Sequence, residues 1–575
     1  MRYALCAVLF LCALCTASCQ SCSETNNPET LTYGVVTPSL PSGMYADAQT
    51  LTLKTLNNRP IYYTLDGTAP EAVEGGSTRL YTQPIQIINR ATQRPRLSDQ
   101  MSQNPSQRFW RDEFTGSFNG NPPSYNRGTV IRAAVVKSGG TLGEIFTGSY
   151  FVWPNHAETF NLPLISITIP SPQLFASRSV FPPQGGIYRY YSDSISGYIA
   201  TFEYFDRDKN PIFFRDGELR IANGRNSGGP PQKTFNVNLN RGLYNDEVEY
   251  PLWGNMRRGD NTQPVTSFSR FRLRNASDNY LSSGFNNALA MSLASDLNAV
   301  VSANSYTAVY LNGDFWGIYA LEEQYSDRFL AQHFADVRGN MIQISFDSNC
   351  ENVPEVSFGN ESTARASYNA MYNFALNNPI FTDSIYQQFA RDFLNLDTYT
   401  DALLAHIFFN ASDFPGNNSR MWRARYPNAD NAHLDGRWHQ MLYDFDRAFS
   451  PDFLPEYNML AHLTGVNPAP QQLGGANRNP EWSTLFFRRL LTNAGFRARL
   501  LARAQFFRDE ILSEENVDKH INALYNQIAP MQEFQNSRWM LDADQDANRQ
   551  IFKDFISLRK DLVMQHFTQL YATFQ

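Results

Sequence analysis

A chain of 575 residues is longer than a single compact core usually grows. With 42% hydrophobic and 18% charged residues it also holds enough apolar side chain to exclude wholesale disorder. The formal net charge is −7 and no long basic run occurs, which excludes the electrostatic footprint of a nucleic-acid binder.

The N-terminus reads as an export signal over residues 1–22: Arg2 supplies positive charge, residues 3–14 an apolar stretch, and Thr16-Ala17-Ser18 the small residues before a cleavage point. Five of the six cysteines fall in this segment and only Cys350 lies elsewhere, so a disulfide framework is excluded. Cys19 resembles the lipidated cysteine of a bacterial lipoprotein, although the leucine usual three residues before it stands at Leu14; ordinary cleavage nearby is the alternative. After residue 22 no run of about 18 apolar residues occurs. The expectation is an exported chain, held at the outer membrane or cell surface by a lipid anchor alone.

Residues 30–155 show short alternating strands parted by Gly, Pro, Asn and Asp, which predicts an antiparallel sandwich. Residues 61–65 are the clearest strand and run into the turn pair Asp66-Gly67. Residues 129–137 and 149–153 supply more strands, and 98–128 read as a long polar loop. From about residue 160 the pattern mixes. Strands dominate to Leu321, with a hairpin in which 307–311 and 315–321 flank Asn312-Gly313-Asp314. A helix over 398–409 is expected with Asp397 as its cap, and 482–574 read as a helical cap.

Three constellations could carry chemistry. The first runs from Arg220 through Gly224, Ser227 and Gly228 to Lys233. Its glycines would let backbone N–H groups approach a phosphate, although such loops are often plain turns. Lysine is scarce, seven against 41 arginines, so Lys233 draws notice. The period-two pattern that follows puts it on the buried face with Phe235, Val237 and Leu239, pointing into a cleft where it needs an anionic partner. The second is Asp413 and Asn418, five apart, the spacing of the base and the metal-ligating asparagine in a protein-kinase catalytic loop; an Asx-rich turn is the alternative. The third is the apolar strand 438–446, ending in Asp444 and Asp446 on one face, which suits a hard cation and equally a cap or turn. His433 and His439 flank Asp435, but that loop reads as a solvated hairpin rather than a zinc site.

These stretches, with Leu273-Arg274-Asn275, Asp278, Asn312-Gly313, Trp316-Gly317 and Glu322, resemble the spore-coat protein H (CotH) kinase family over roughly residues 160–560. Residues 61–70 and 130–136 resemble the small sandwich at the C-terminus of chitobiases and β-hexosaminidases. The resemblance implies an α+β chain: a small all-β sandwich over 30–155, then an atypical protein-kinase-like two-lobed domain over 160–575 with a helical cap. It implies ATP with Mg2+ or Mn2+, and transfer of the γ-phosphate to a hydroxyl of a secreted or surface protein. By it, Gly224, Ser227, Lys233 and Glu322 would hold the nucleotide, Lys233 touching the α- and β-phosphates. Asp413 would be the catalytic base, and Asn418, Asp444 and Asp446 would hold metal. Two departures stand out: Gly228 replaces an arginine common in the family, and residues 251–304 offer no glutamate to pair with Lys233, leaving Asp278 and Asp296 as substitutes. The alternative readings are a surface, assembly or glycan-binding protein that keeps the fold without transfer.

Overall fold

The computed structural model describes residues 35–93, 127–175, 186–189, 197–222, 230, 232–240, 246–254, 264–280, 284–335, 338–346, 352–449, 454–466, 478–539 and 541–574, without the side chains of 57, 157, 158, 189 and 278. The expected export signal with Cys19, the loop residues Gly224, Ser227 and Gly228, and nearly all of 98–128 lie outside them.

The N-terminal part is all-β. Strands β1 (Gly43–Tyr45), β2 (Ile61–Thr64), β3 (Arg79–Leu80), β4 (Gly128–Val135) and β5 (Phe146–Val152) form a sheet in the order β1-β5-β4-β2-β3. Two short two-stranded ribbons cover it, and Leu51, Leu53, Ile85 and Ile87 from them share one core with Ile61, Ile131, Val135 and Tyr150 from the sheet. Alternation along β4 accounts for this, since successive side chains point to opposite faces.

Next come β6 (Leu164–Thr168), β7 (Tyr198–Phe205), β8 (Pro211–Ile221), β9 (Phe235–Asn238), β10 (Arg270–Arg274), helix α1 (Asn286–Leu293), β11 (Asn304–Leu311) and β12 (Asp314–Glu323). The strands close into a barrel in the order β6-β7-β8-β9-β10-β12-β11, with β6 and β11 parallel across the closure. Its interior is filled by Ile165, Phe202, Leu219, Val237, Phe271 and Leu321. The opposite face of β11 and β12 presents Tyr306, Ala308 and Ala320 to the helical part of the chain. The β11–β12 turn is the expected Asn312-Gly313 pair at φ 48° and 83°, the double positive φ of a type I′ two-residue hairpin.

The second lobe contains β13 (Met341–Phe346), β14 (Glu355–Phe358), α2 (Glu361–Asn377), α3 (Leu396–Phe409), β15 (Ser419–Ala424) and β16 (His439–Met441), whose strands pair as β14-β13-β15-β16. Two sequence expectations need correction here. The cap of α3 is Asn395, whose Oδ1 accepts the N–H groups of Asp397 and Thr398 at 3.1 Å; Asp397 sits in the first turn, where its charge favours the helix dipole instead. The strand expected over 438–446 ends at Met441, and Asp444 turns the chain with a φ of 59°. Helices α4 (Ala494–Phe506), α5 (Glu514–Ile528), α6 (Gln532–Trp539) and α7 (Gln545–Ala572) complete the chain. Helix α6 returns to the barrel, where Gln535 Oε1 accepts the N–H of Ile318 and Trp539 Nε1 donates to the carbonyl of Trp316.

Candidate functional site

A row of directly paired residues crosses four barrel strands: Arg220 opposite Asn236, Asn236 opposite Arg272, and Arg272 opposite Glu322. Paired residues of an antiparallel ladder share a face, and this is the outer one, because their neighbours Leu219, Val237, Phe271 and Leu321 fill the interior. Arg272 Nε donates to Asn236 Oδ1 at 3.1 Å along this row. Two positions further on β10, Arg274 reaches from the same face into the second lobe. Its Nη2 donates to Asp444 Oδ1 at 2.6 Å and to Asp446 Oδ2, and its Nη1 lies 3.8 Å from Glu322 Oε2. Burial works against the guanidinium charge, but the three carboxylates outweigh it and raise the Arg274 pKa well above its ordinary value. Burial likewise pushes Asp444 up, yet Arg274 and, more weakly, Arg272 hold its carboxyl below the usual range.

Helix α1 fixes this contact. Asn287 Nδ2 donates to Glu322 Oε1 and its Oδ1 accepts the Phe445 N–H, both at 2.9 Å, while Asn286 Nδ2 donates to the Ala448 carbonyl at 2.6 Å. The turn carrying Asp444 and Asp446 is therefore tied to the barrel by amides as well as charge.

The loop after α3 meets the same turn. Asn418, at a φ of 53°, lies with Nδ2 3.4 Å from Asp413 Oδ2 and 3.5 Å from the Asp444 carbonyl. Asn417 Nδ2 donates to Asn418 Oδ1 at 3.1 Å, and Arg478 Nε lies 3.6 Å from Asp413 Oδ1. Below them three rings stack: His406 of α3 lies between Phe414 and Phe445, with centroids 4.0 and 4.5 Å away. Burial lowers the His406 pKa to about 3, so the imidazole is neutral and packs as a flat ring.

Glu322, Asp413, Asn418, Asp444 and Asp446 thus join one chain of contacts, although they come from three distant stretches of sequence. Lys233 is placed elsewhere. Its alternation with Phe235 and Val237 points it into the closed barrel, where it is 2% exposed with Nζ 5.2 Å over the Tyr188 ring, itself packed on Trp316. Burial there pushes the ammonium pKa down to about 7. Of the two substitutes considered for its acidic partner, Asp296 is exposed, and the Asp278 side chain lies outside the described ones. Arg274, which the sequence reading named only as part of the family resemblance and gave no role, is the residue that joins the cluster. The available signal was Arg270-Phe271-Arg272-Leu273-Arg274, which lines three cations along one face of a strand. The Asp435 carboxylate forms an ion pair with Arg437 at 2.6 Å and lies 3.2 Å from His439 Nε2, whose pKa burial lowers.

Among the described residues no three His, Cys, Asp or Glu side chains are arranged to enclose a metal ion. A divalent cation that keeps several waters needs only one or two protein oxygens, and one edge of this cluster fits it. Asp444 keeps 30% of its side chain exposed where Arg274 and Asp446 keep 6%, and Asn418 lies beside it. Asp446 faces Arg274 from behind.

A family model described as CotH kinase protein matches residues 223–563, more than half of the chain, and one described as Fn3 associated matches residues 50–150, within the all-β part. No curated protein matches the chain.

Proposed function

Because the chain belongs to the CotH kinase family, we propose that it is a phosphotransferase that moves the γ-phosphoryl group of ATP to a hydroxyl of a protein. The observation that supports this most is that Asn418 Nδ2 lies against both the Asp413 carboxylate and the Asp444 backbone carbonyl, which brings the base beside the amide and the turn that carries Asp444. In the reaction the bond between the γ-phosphorus and its bridging oxygen breaks, a bond from the hydroxyl oxygen to that phosphorus forms, and the hydroxyl proton passes to Asp413. Asn418 and Asp444 would hold Mg2+ or Mn2+, which when bound supplies positive charge against the phosphates. Asp446 and Glu322 act through Arg274, whose guanidinium fixes the Asp444 turn against the barrel. The sequence signal for export points to secreted or surface proteins as substrates and to a lipid anchor at Cys19.

The test is incubation of the purified chain with γ-labelled ATP and manganese or magnesium. Label on protein that Asp413→Ala abolishes, with nucleotide binding retained, is expected. Equal labelling of both forms would remove Asp413 as the base, and a wild-type chain that binds no nucleotide would end the kinase reading. One observation favours a second reading, a surface or assembly protein that keeps the fold without transfer: Arg274 already neutralises the acids a cation would otherwise meet.

A further inference from the structure

The interior placement of Lys233 leaves open which cations of this chain meet a polyphosphate. An anion brought to Asp413 and Asn418 with its metal ion lies on the side of the barrel wall that faces the second lobe. That is the face of Glu322 and Arg274, whereas Lys233 alternates onto the interior face with Phe235 and is buried there, its Nζ 5.2 Å over the Tyr188 ring. The outer face carries two further arginines in the same cross-strand row, Arg272 on β10 and Arg220 on β8, separated by one strand and by Asn236. Both are half-buried, so each keeps surface for a ligand. Arg272 is braced: its Nε donates to Asn236 Oδ1 at 3.1 Å, which orients the planar guanidinium. Arg274 is committed to Asp444 and Asp446, so it is the neighbouring arginines that can meet an incoming anion.

We propose that Arg272, seconded by Arg220, binds the phosphates of the nucleotide from the outer barrel face, in the role the family resemblance assigns to Lys233. The inference rests on the kinase reading, which brings a nucleotide to this face. It fits the composition, since the chain uses arginine almost everywhere for positive charge, and a guanidinium fork matches two phosphate oxygens at once. Asn236 then serves as a positioning residue, and Lys233 as an interior residue of the barrel.

The test is calorimetric titration of the full chain with Mg-ATP, Mg-tripolyphosphate and adenosine. Arg272→Gln is expected to weaken ATP and tripolyphosphate about tenfold or more, the loss of charge-assisted hydrogen bonds, and to leave adenosine unchanged. Arg220→Gln should give a smaller loss, and Arg272→Lys an intermediate one. Lys233→Met should leave affinity within about twofold while shifting the thermal midpoint, as a change inside a packed core does. Unchanged tripolyphosphate affinity in Arg272→Gln overturns the inference, as does a loss of that affinity confined to Lys233→Met in a chain that still melts cooperatively. Failure of the wild type to bind ATP instead overturns the kinase reading, so the two failures are distinguishable.

Discussion

Removing Arg274 would strip the counter-charge from Asp446 and Glu322, both buried, and from Asp444 beside them. Breaking a buried ion pair by deleting one partner is costly because the remaining charge loses solvent and partner together. Arg274→Met is expected to lower unfolding free energy by about 3–5 kcal/mol, read as a shift of the urea midpoint. Arg274→Lys should recover only part, since one ammonium cannot span two carboxylates as the guanidinium does. A midpoint for Arg274→Met within experimental scatter of the wild type would show that the cluster carries no net stabilisation. This residue also marks the limit of sequence reading at the site. Asp413 and Asn418 stand out because their spacing is local and their chemistry differs from their surroundings. The Arg274–Asp444 contact joins residues 170 positions apart, and nothing local in either stretch announces the other. Lys233 shows the complementary limit: period-two alternation identified its buried face, but alternation cannot tell a barrel interior from a cleft.

Single elements were legible to the extent that their determinants are local. The β11–β12 hairpin follows from Asn312-Gly313 between apolar runs, and the structure adds a tertiary role that the sequence does not display. Asn312 Nδ2 donates to the Asp66 carbonyl at 3.2 Å and to the Ile169 carbonyl at 2.7 Å, and the Gly128 N–H donates to the Gly313 carbonyl at 2.8 Å. The hairpin tip is thereby the peg on which the all-β part sits. At Gly313 both constraints on glycine coincide: φ is +83°, and an added Cβ would lie 2.5 Å from the Gly128 carbonyl oxygen. Gly313→Ala is therefore expected to cost roughly 1–3 kcal/mol and to speed proteolysis at the junction of the two parts. A variant with wild-type cleavage rates would show that the junction does not depend on this turn. The α3 cap and the shortened β16 escape local reading for related reasons. Asn395 and Asp397 both have cap chemistry two positions apart, and the end of β16 is set by the left-handed turn that Arg274 and Asn287 hold in place.

Across the whole molecule, the seam between the all-β part and the barrel buries a titratable acid. Glu203 on β7 is 3% exposed and opposite Ser166, whose hydroxyl lies 2.8 Å from that of Ser149 on β5. Burial raises the Glu203 pKa to about 7, and hydrogen bonds from Ser149 and Ser42 only moderate the shift. A folded-state pKa raised from 4.5 means that the folded chain holds a proton that the unfolded chain releases. The contribution is present in full below about pH 4.5 and is lost as pH rises towards 7. His406 and His462 act with the opposite sign. Burial lowers their pKa values to about 3 and 4, so their contribution is present above the ordinary histidine pKa and is lost as pH falls. The raw pH profile therefore mixes both, and the informative quantity is the difference between wild type and Glu203→Gln, which leaves the histidines untouched. Between pH 5 and pH 8 that difference should move by about 2–3 kcal/mol in favour of the variant, measured by urea unfolding at each pH. Parallel profiles for the two proteins would mean that Glu203 is solvated enough to ionise without penalty, and that the seam is wetter than its packing implies.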